Sequence, residues 1–263
     1  MTLVPAGTST LAPWALWITP ETAGWNHAGL RLLTLSDESV LFCTGDEEML
    51  VLPLSGSCRI ECDGVRLALE GRVSVFHAVS DFAYLPVGAT VRITGAGRFA
   101  FPTARASRSF PVRYGPAREV PVEVRGEGRT SSQINGFCAP GAFECDRLVA
   151  VEVLTPGGNR TPCPPYEHDA TPECGAVRER IYYFEGGPGY QRIHGAHETV
   201  TEVSSGDVVL VPHGCHGPST AAPGHDLYHL SVLAGPERPA AATEIRAHGQ
   251  APDDPRLPMT KAP

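Results

Sequence analysis

The sequence predicts an all-β protein. Short runs of β-branched, aromatic and aliphatic residues recur along the 263-residue chain, and turn-forming residues separate them. The runs lack the 3.6-residue hydrophobic period of an amphipathic helix. The 28 Gly and 25 Pro fall mostly between the runs, as turn residues do. Strands spaced this closely are typical of a β-sandwich or a β-barrel.

Nine strand-like runs occupy the first half of the chain. They cover residues 30–35, 40–43, 49–54, 58–62, 65–69, 73–76, 82–85, 90–93 and 99–101. Asp63-Gly64 joins two of them and predicts a hairpin with a type I′ turn, because this pair tolerates positive φ. Cys58 and Cys62 share one face of the strand before that turn and are expected to be small buried apolar residues.

A connection at about residues 105–120 leads to a second set of strands. These cover residues 120–124, 148–154, 180–184, 191–193, 198–203, 208–211 and 226–233. Residues 69–75 and 85–88 resemble residues 205–211 and 212–214, which supports an internal duplication of one β-barrel. Residues 236–263 are rich in Pro and Ala and are expected to form a surface or disordered tail.

Composition excludes several classes of function. The net charge of −8 argues against a nucleic-acid partner and against an anionic membrane surface. No apolar run reaches the roughly 20 residues of a membrane helix. The first 20 residues lack a basic region and are interrupted by three prolines, so no signal peptide is expected. The eight cysteines would suggest disulfides in a secreted protein. Because no signal peptide is expected, the interpretation is a cytoplasmic protein with reduced thiols.

Most of the residues that could take part in catalysis or ligand binding fall between residues 157 and 235. Side chains two apart on a strand share a face, so Tyr166 and His168 point the same way, as do Arg180 and Tyr182. A returning strand that carries His216 could complete one cavity with them.

This stretch resembles the 5-deoxy-glucuronate isomerase family of inositol catabolism, which is related to the 4-deoxy-threo-uronate ketol-isomerases. Gly206 with Pro212-x-Gly214-x-His216 matches the second cupin motif. Further matches are Gly158-Asn159, Pro164-Pro165, His168-Asp169, Ile181-Tyr182-Tyr183, Gln191-Arg192, Asp226-Leu227-Tyr228, Val122 to Gly126 and Gly24-Trp25. The resemblance extends over about residues 24–236.

The resemblance implies a bicupin, that is, two β-barrel (jelly-roll) cupin domains, in a homo-oligomer. The expected organisation is an N-terminal segment (1–28), a barrel without a metal-ligand motif (29–118), a barrel with the active-site pocket (119–236) and a C-terminal tail (237–263). The family would bind a divalent metal through a His-x-His pair, a Glu on the next strand and a late His. It would then convert an aldose to a ketose by moving protons between C1 and C2.

Only His168 and His216 match that ligand set. Tyr166 stands in place of the first His, and Arg180 stands where the family has Glu. A guanidinium is permanently protonated and has donors but no acceptor, so Arg180 cannot ligate a cation. At about 4 Å it would repel a divalent ion by several kcal/mol. Arg180 is instead suited to clamp a carboxylate in two parallel hydrogen bonds.

The favoured hypothesis is a metal-independent acid/base enzyme that isomerises, eliminates from or cyclises a small carboxylated substrate. The predicted catalytic residues are His168, His216 and Tyr166, and the predicted substrate-binding residues are Arg180, Tyr182, Gln191 and His229. One alternative is a metal-dependent isomerase of 5-deoxy-glucuronate, with Zn, Mn or Fe held by His168 and His216 together with Tyr166 or Glu179. The other alternative is a non-catalytic bicupin that binds a ligand.

Overall fold

A computed structural model describes residues 2–161, 178–194, 199–212 and 215–238 of the protein. The described part is almost entirely β-structure, with one short α-helix (α1, Pro20–Ala23) and two 3₁₀ turns (Ala117–Glu119 and Gly128–Thr130). The prediction of an all-β fold is confirmed. Within these residues, none of the helices has the length and apolar character needed to cross a membrane.

Seventeen strands follow one another in the described part of the chain. They are β1 (Thr2–Val4), β2 (Trp14–Ile18), β3 (Ala28–Cys43), β4 (Glu47–Cys62), β5 (Val65–Arg72), β6 (Phe82–Leu85), β7 (Thr90–Arg105), β8 (Arg113–Gly115), β9 (Val122–Arg125), β10 (Ser132–Gly136), β11 (Val149–Thr155), β12 (Glu179–Gly186), β13 (Gly189–His194), β14 (Thr199–Val203), β15 (Val208–Val211), β16 (Cys215–Ala221) and β17 (Leu227–Ala234).

The strands form three sheets. The first sheet has the order β2-β3-β7-β4-β6-β8, with β5 paired to β4. The second has the order β1-β15-β12-β17-β11-β10-β9, and the third is β14-β13-β16. All the pairings between these strands are antiparallel. The N-terminal segment is divided between them, since β1 joins the second sheet and β2 joins the first.

The first and second sheets repeat one strand order. Strands β2-β3-β7-β4-β6 correspond in position to β10-β11-β17-β12-β15, and a short edge strand, β8 or β1, completes each series. This repetition supports the internal duplication expected from the sequence.

Two glutamates at equivalent places tie the halves together. Glu48, near the start of β4, accepts hydrogen bonds from the backbone N–H groups of residues 146–148 at 2.6–2.8 Å. Glu179, at the start of β12, accepts hydrogen bonds from those of residues 26–28 at 2.7–2.8 Å. Each carboxylate therefore satisfies three N–H groups of the opposite half. Those bound by Glu48 lead into β11, and those bound by Glu179 lead into its counterpart β3.

The second sheet lies between two apolar layers. One face packs on the first sheet in a core that includes Leu50, Leu52, Ile181 and Leu230. The other face packs on the third sheet. Because both faces are covered, alternate residues of β12 and β17 belong to different layers, and every residue of β17 is buried.

Several predicted runs merge into longer strands. Residues 30–35 and 40–43 are one strand, β3, because the irregularity at Asp37, where φ is 64°, interrupts the pairing without ending it. The pairing also continues through a similar irregularity near Pro53, so the runs at residues 49–54 and 58–62 form one strand, β4. Residues 73–76 were expected to form a strand and do not. Arg72 donates hydrogen bonds to the carbonyls of Pro53 and Ala78, which holds this segment as a loop.

The Asp63-Gly64 hairpin is confirmed. Both residues have positive φ, 48° and 85°, and Cys62 pairs with Val65 across the turn. Cys58 and Cys62 are buried free thiols, as expected. Burial raises the pKa of Cys58 to about 12 and that of Cys62 to about 11. The expected tail lies outside the described residues from position 239 onwards.

Candidate functional site

A cavity of about 440 Å³ lies on the face of the second sheet that is turned towards the third. On β12, Arg180 and Tyr182 point into this cavity, whereas Ile181 and Tyr183 point into the core shared with the first sheet. Strands β9, β10, β11 and β17 supply the rest of the floor. The expectation that Arg180 and Tyr182 share a face and a cavity is therefore in agreement with the structure.

Arg180 carries the positive charge at one end of the cavity. Only 9% of the residue is exposed. Its Nη1 donates a hydrogen bond to the hydroxyl of Ser231 at 3.2 Å, and its guanidinium carbon lies 5.8 Å from the centre of the Tyr182 ring. Burial and these contacts hold the guanidinium in a defined place within a medium of low dielectric constant, where its field on a ligand is strong.

His229 lies opposite Phe184 on the neighbouring strand, β17, and lines the same cavity as Arg180. Its ring packs edge-on against Tyr182, with 5.1 Å between ring centres, and at 5.7 Å from Phe184. Its Nδ1 is buried and has no hydrogen-bond partner among the described residues. Burial, together with the charge of Arg180, lowers the pKa of His229 to about 3. The imidazole is therefore neutral at physiological pH, and a buried nitrogen lacking a partner is available to a ligand.

The structure describes only some of the remaining predicted site residues. Tyr166 and His168 lie outside the described residues, and for His216 only the backbone is described, in β16 opposite Ile193. The adjoining Gly217 lines the cavity. Gln191 is fully buried in β13, where its side-chain oxygen accepts a hydrogen bond from Ser219.

Glu179 does not share the cavity with Arg180. Its two carboxylate oxygens accept the three backbone hydrogen bonds from residues 26–28 described above, on the opposite side of the strand. A regular strand places successive side chains on opposite faces, and no bulge reverses this at the start of β12. The carboxylate has a structural role there.

The described cavity residues do not suit a divalent cation. Within the parts of the chain that the structure describes, no group of three or more His, Cys, Asp or Glu side chains has the arrangement of a metal site. The buried charge of Arg180 disfavours protonation of the adjacent His229, and it would disfavour a metal cation at the same place for the same reason. The guanidinium of Arg180 suits an anion instead.

Five polar cavity residues were not predicted from the sequence, namely Glu123, Arg125, Ser132, Thr161 and Ser231. Ser231 lies two residues after His229 in β17, so strand alternation places both on one face. Glu123 and Arg125 alternate in the same way on β9. The alternation was readable in each strand, but which face borders a cavity depends on how the sheets pack.

The low pKa of His229 predicts a specific pH dependence of stability. Between its unfolded pKa, near 6.5, and its folded pKa, about 3, the unfolded chain binds a proton that the folded chain does not. The free energy of unfolding should therefore fall as the pH drops below 6.5, with a slope from this group approaching about 1.4 kcal/mol per pH unit. In His229→Phe this contribution should disappear.

Urea unfolding at pH 7 and pH 5 measures this contribution. The wild type should lose more stability between the two values than His229→Phe does. His225→Gln, which changes an exposed histidine four residues away, is the matched control and should behave as the wild type. Equal losses in the wild type and in His229→Phe would contradict a neutral, buried His229.

Comparison with known proteins agrees with this fold. The KduI/IolB family profile matches residues 3–251. A protein of Geobacillus kaustophilus named 5-deoxy-glucuronate isomerase is 33% identical over 235 residues, which is 84% of each chain. A homologue of the same name from Listeria monocytogenes is 29% identical over 81% of this chain and 83% of its own.

Solved structures extend the comparison. The crystal structure of an IolB-like protein from Salmonella typhimurium superposes with a TM-score of 0.83 and 26% identity, covering 90% of this chain and 94% of the other. An oxalate decarboxylase from Lactobacillus farciminis shares the fold at a TM-score of 0.57 and 11% identity, covering 84% of this chain and 81% of that one. The family match over nearly the whole chain and the 33% identity to a relative lead to one conclusion: the chain belongs to the KduI/IolB family.

Proposed function

We propose that this protein is an acid/base isomerase that acts on a small carboxylated sugar derivative and uses Arg180 in place of a metal cation. Its fold is a bicupin, in which residues 29–118 and 119–236 each form a β-barrel. Residues 1–28 and 237–263 flank the barrels. The cavity of the second barrel is the active site, and the protein works as a cytoplasmic homo-oligomer.

The observation that carries this proposal is the buried guanidinium of Arg180 within the cavity. A substrate carboxylate placed there would accept two parallel charge-assisted hydrogen bonds. The Ser231 hydroxyl, which already contacts Arg180, could also donate to it. Such contacts orient a flexible acid and prevent it from binding in the reverse direction.

The neutral His229 complements Arg180. Its Nδ1, which has no partner within the described ranges, would hydrogen-bond a hydroxyl or carbonyl oxygen of the substrate without adding a second positive charge. A neutral imidazole can polarise a carbonyl and remain uncharged during the reaction. We assign His229 this orienting role and leave proton transfer to other groups.

Conversion of an aldose to a ketose needs no oxidant or reductant. One proton leaves C2, one proton is added at C1, and one moves from the C2 hydroxyl to the carbonyl oxygen at C1. The proposed groups for these transfers are His168, His216 and Tyr166, because imidazoles exchange protons near neutral pH and a phenol can donate one.

The relatives favour a second candidate. Proteins 33% identical to this chain are named 5-deoxy-glucuronate isomerase, so that reaction with a bound divalent metal is the alternative. In that case His168 and His216 would be ligands, with Tyr166 completing the set. The two candidates share a carboxylated substrate and differ in the need for a metal.

One experiment separates them. The purified protein is analysed for zinc, manganese and iron, and is then incubated with 5-deoxy-glucuronate before and after treatment with EDTA, with the ketose product followed by NMR. The proposal predicts far less than one metal ion per chain and turnover that EDTA leaves unchanged. One metal per chain with turnover lost to EDTA and restored by metal would establish the second candidate. Saturable binding without product would identify a ligand-binding protein.

A further inference from the structure

The cavity extends well beyond Arg180. Its floor crosses five neighbouring strands in the order β12-β17-β11-β10-β9. Adjacent strands lie about 4.8 Å apart, so the backbones of the first and last are separated by roughly 19 Å along the sheet. Arg180 stands at one end of this span, and Arg125 stands at the other.

A six-carbon acid is too short to use this whole span. An extended chain advances about 3.5 Å for every three bonds, so six carbon atoms in a row reach roughly 6 Å. A carboxylate held at Arg180 would leave such a molecule over β17 and β11. The part of the cavity above β10 and β9 would not be in contact with it.

The far end has a different chemistry from the end at Arg180. Arg125, whose side chain is 10% exposed, donates from both Nε and Nη2 to one oxygen of Glu123, at 3.0 and 2.9 Å. The pair has no net charge, so it offers nothing to a second carboxylate. It does place guanidinium donors and carboxylate acceptor positions side by side, which is the combination that binds neighbouring hydroxyl groups.

The part of the floor formed by β11 and β10 is mostly apolar. Val151 and Val153 on β11 and Ile134 on β10 face the cavity. The small residues of segment 139–142 line it as well. Ser132 also lies there, with its hydroxyl 3.2 Å from that of Thr155. An aliphatic surface flanked by polar groups suits the C–H face of a sugar ring, whose hydroxyls reach the sides.

We propose that Glu123 and Arg125 form a second, hydroxyl-binding subsite, and that the preferred ligand is an acidic sugar carrying a further neutral, hydroxylated unit, such as an acidic disaccharide. This inference rests on the proposed binding of a carboxylate at Arg180. The acidic unit occupies the end at Arg180, and the neutral unit lies over Ile134 and reaches Arg125.

Calorimetric titration of the full-length protein tests this subsite. The probes are D-glucuronate and a disaccharide in which one neutral hexose is linked to O4 of glucuronate, so that the anomeric carbon of the acidic unit stays free. The disaccharide should bind about ten- to a hundredfold more tightly, as expected for added hydrogen bonds to charged groups. Equal affinities would overturn the second subsite and leave the carboxylate site intact. Failure of both probes to bind would overturn the carboxylate site, and the inference with it.

Paired variants locate the gain in affinity. The double variant Glu123→Gln/Arg125→Gln removes both charges together, so the buried guanidinium of Arg125 is not left without its partner, the half-exposed carboxylate of Glu123. It should reduce the advantage of the disaccharide to about threefold or less. The control Arg118→Gln/Glu119→Gln changes an exposed ion pair in the preceding 3₁₀ turn and should retain the full advantage. A full advantage in the cavity variant, with its thermal unfolding midpoint unchanged, would rule out this subsite.

Discussion

Arg180→Gln should lower kcat/KM for 5-deoxy-glucuronate by about 10²–10³-fold, as loss of a preorganised donor in an enclosed site typically does. The same variant should bind D-glucuronate much more weakly. Gln is neutral and cannot form the forked pair of hydrogen bonds that a guanidinium makes with a carboxylate. The buried position, 9% exposed, strengthens the effect because little water is available to take over the lost role.

Arg180→Lys sharpens this test. An ammonium keeps the charge but not the planar fork, so it should recover only part of the lost affinity. The control is Arg66→Gln, because the Arg66 side chain on β5 is 83% exposed. This substitution should leave kcat/KM and the affinity for D-glucuronate unchanged. Turnover of Arg180→Gln within about threefold of the wild type, a difference under 1 kcal/mol, would remove Arg180 from the proposed active site.

Arg72→Met should reduce the free energy of unfolding by about 3–5 kcal/mol, because it would leave Glu152 as an unpaired buried charge. Both side chains of this ion pair are fully buried. Arg72 belongs to β5 and Glu152 to β11, so the pair links the first and second sheets. Glu152 also accepts hydrogen bonds from the Asn135 amide at 3.1 Å and the Tyr228 hydroxyl at 2.8 Å.

Urea unfolding of single and double variants measures the effect. Arg72→Met/Glu152→Gln should recover a substantial part of the lost stability, because no unpaired charge then remains. Arg66 lies on the same strand as Arg72 and forms an exposed ion pair with Glu61. Arg66→Met should therefore change stability by less than about 1 kcal/mol. If Arg72→Met is no more destabilising than Arg66→Met, the pair does not hold the two sheets together.

The expected changes at Arg180 and Arg72 follow from different levels of structure. The alternation of β12 was readable in the sequence, so the common face of Arg180 and Tyr182 could be predicted. The partner of Arg72 could not, because a strand pattern shows which residues face inwards but not which distant strand they meet. For the same reason Glu179 was considered as a ligand, whereas in the fold its carboxylate binds the backbone of residues 26–28.

Local pattern was sufficient for the all-β class, the type I′ turn at Asp63-Gly64 and the buried cysteines of β4. These features depend on residues close in sequence, whose backbone preferences and two-residue alternation of burial can be read from the local sequence. The resemblance to a known family added the expected place of the active site. It also drew attention to Arg180 as a departure from that family's pattern.

Only the tertiary structure decided the shape and extent of the site. Arg125, Arg180 and His229 are separated by 49 residues or more in the sequence, and the strand order β12-β17-β11-β10-β9 brings them to one cavity. The neutral state of His229 has the same origin, since it depends on burial and on a charge from a neighbouring strand. Contacts of this kind arise when sheets pack and strands pair across long loops, and residue type alone does not encode them.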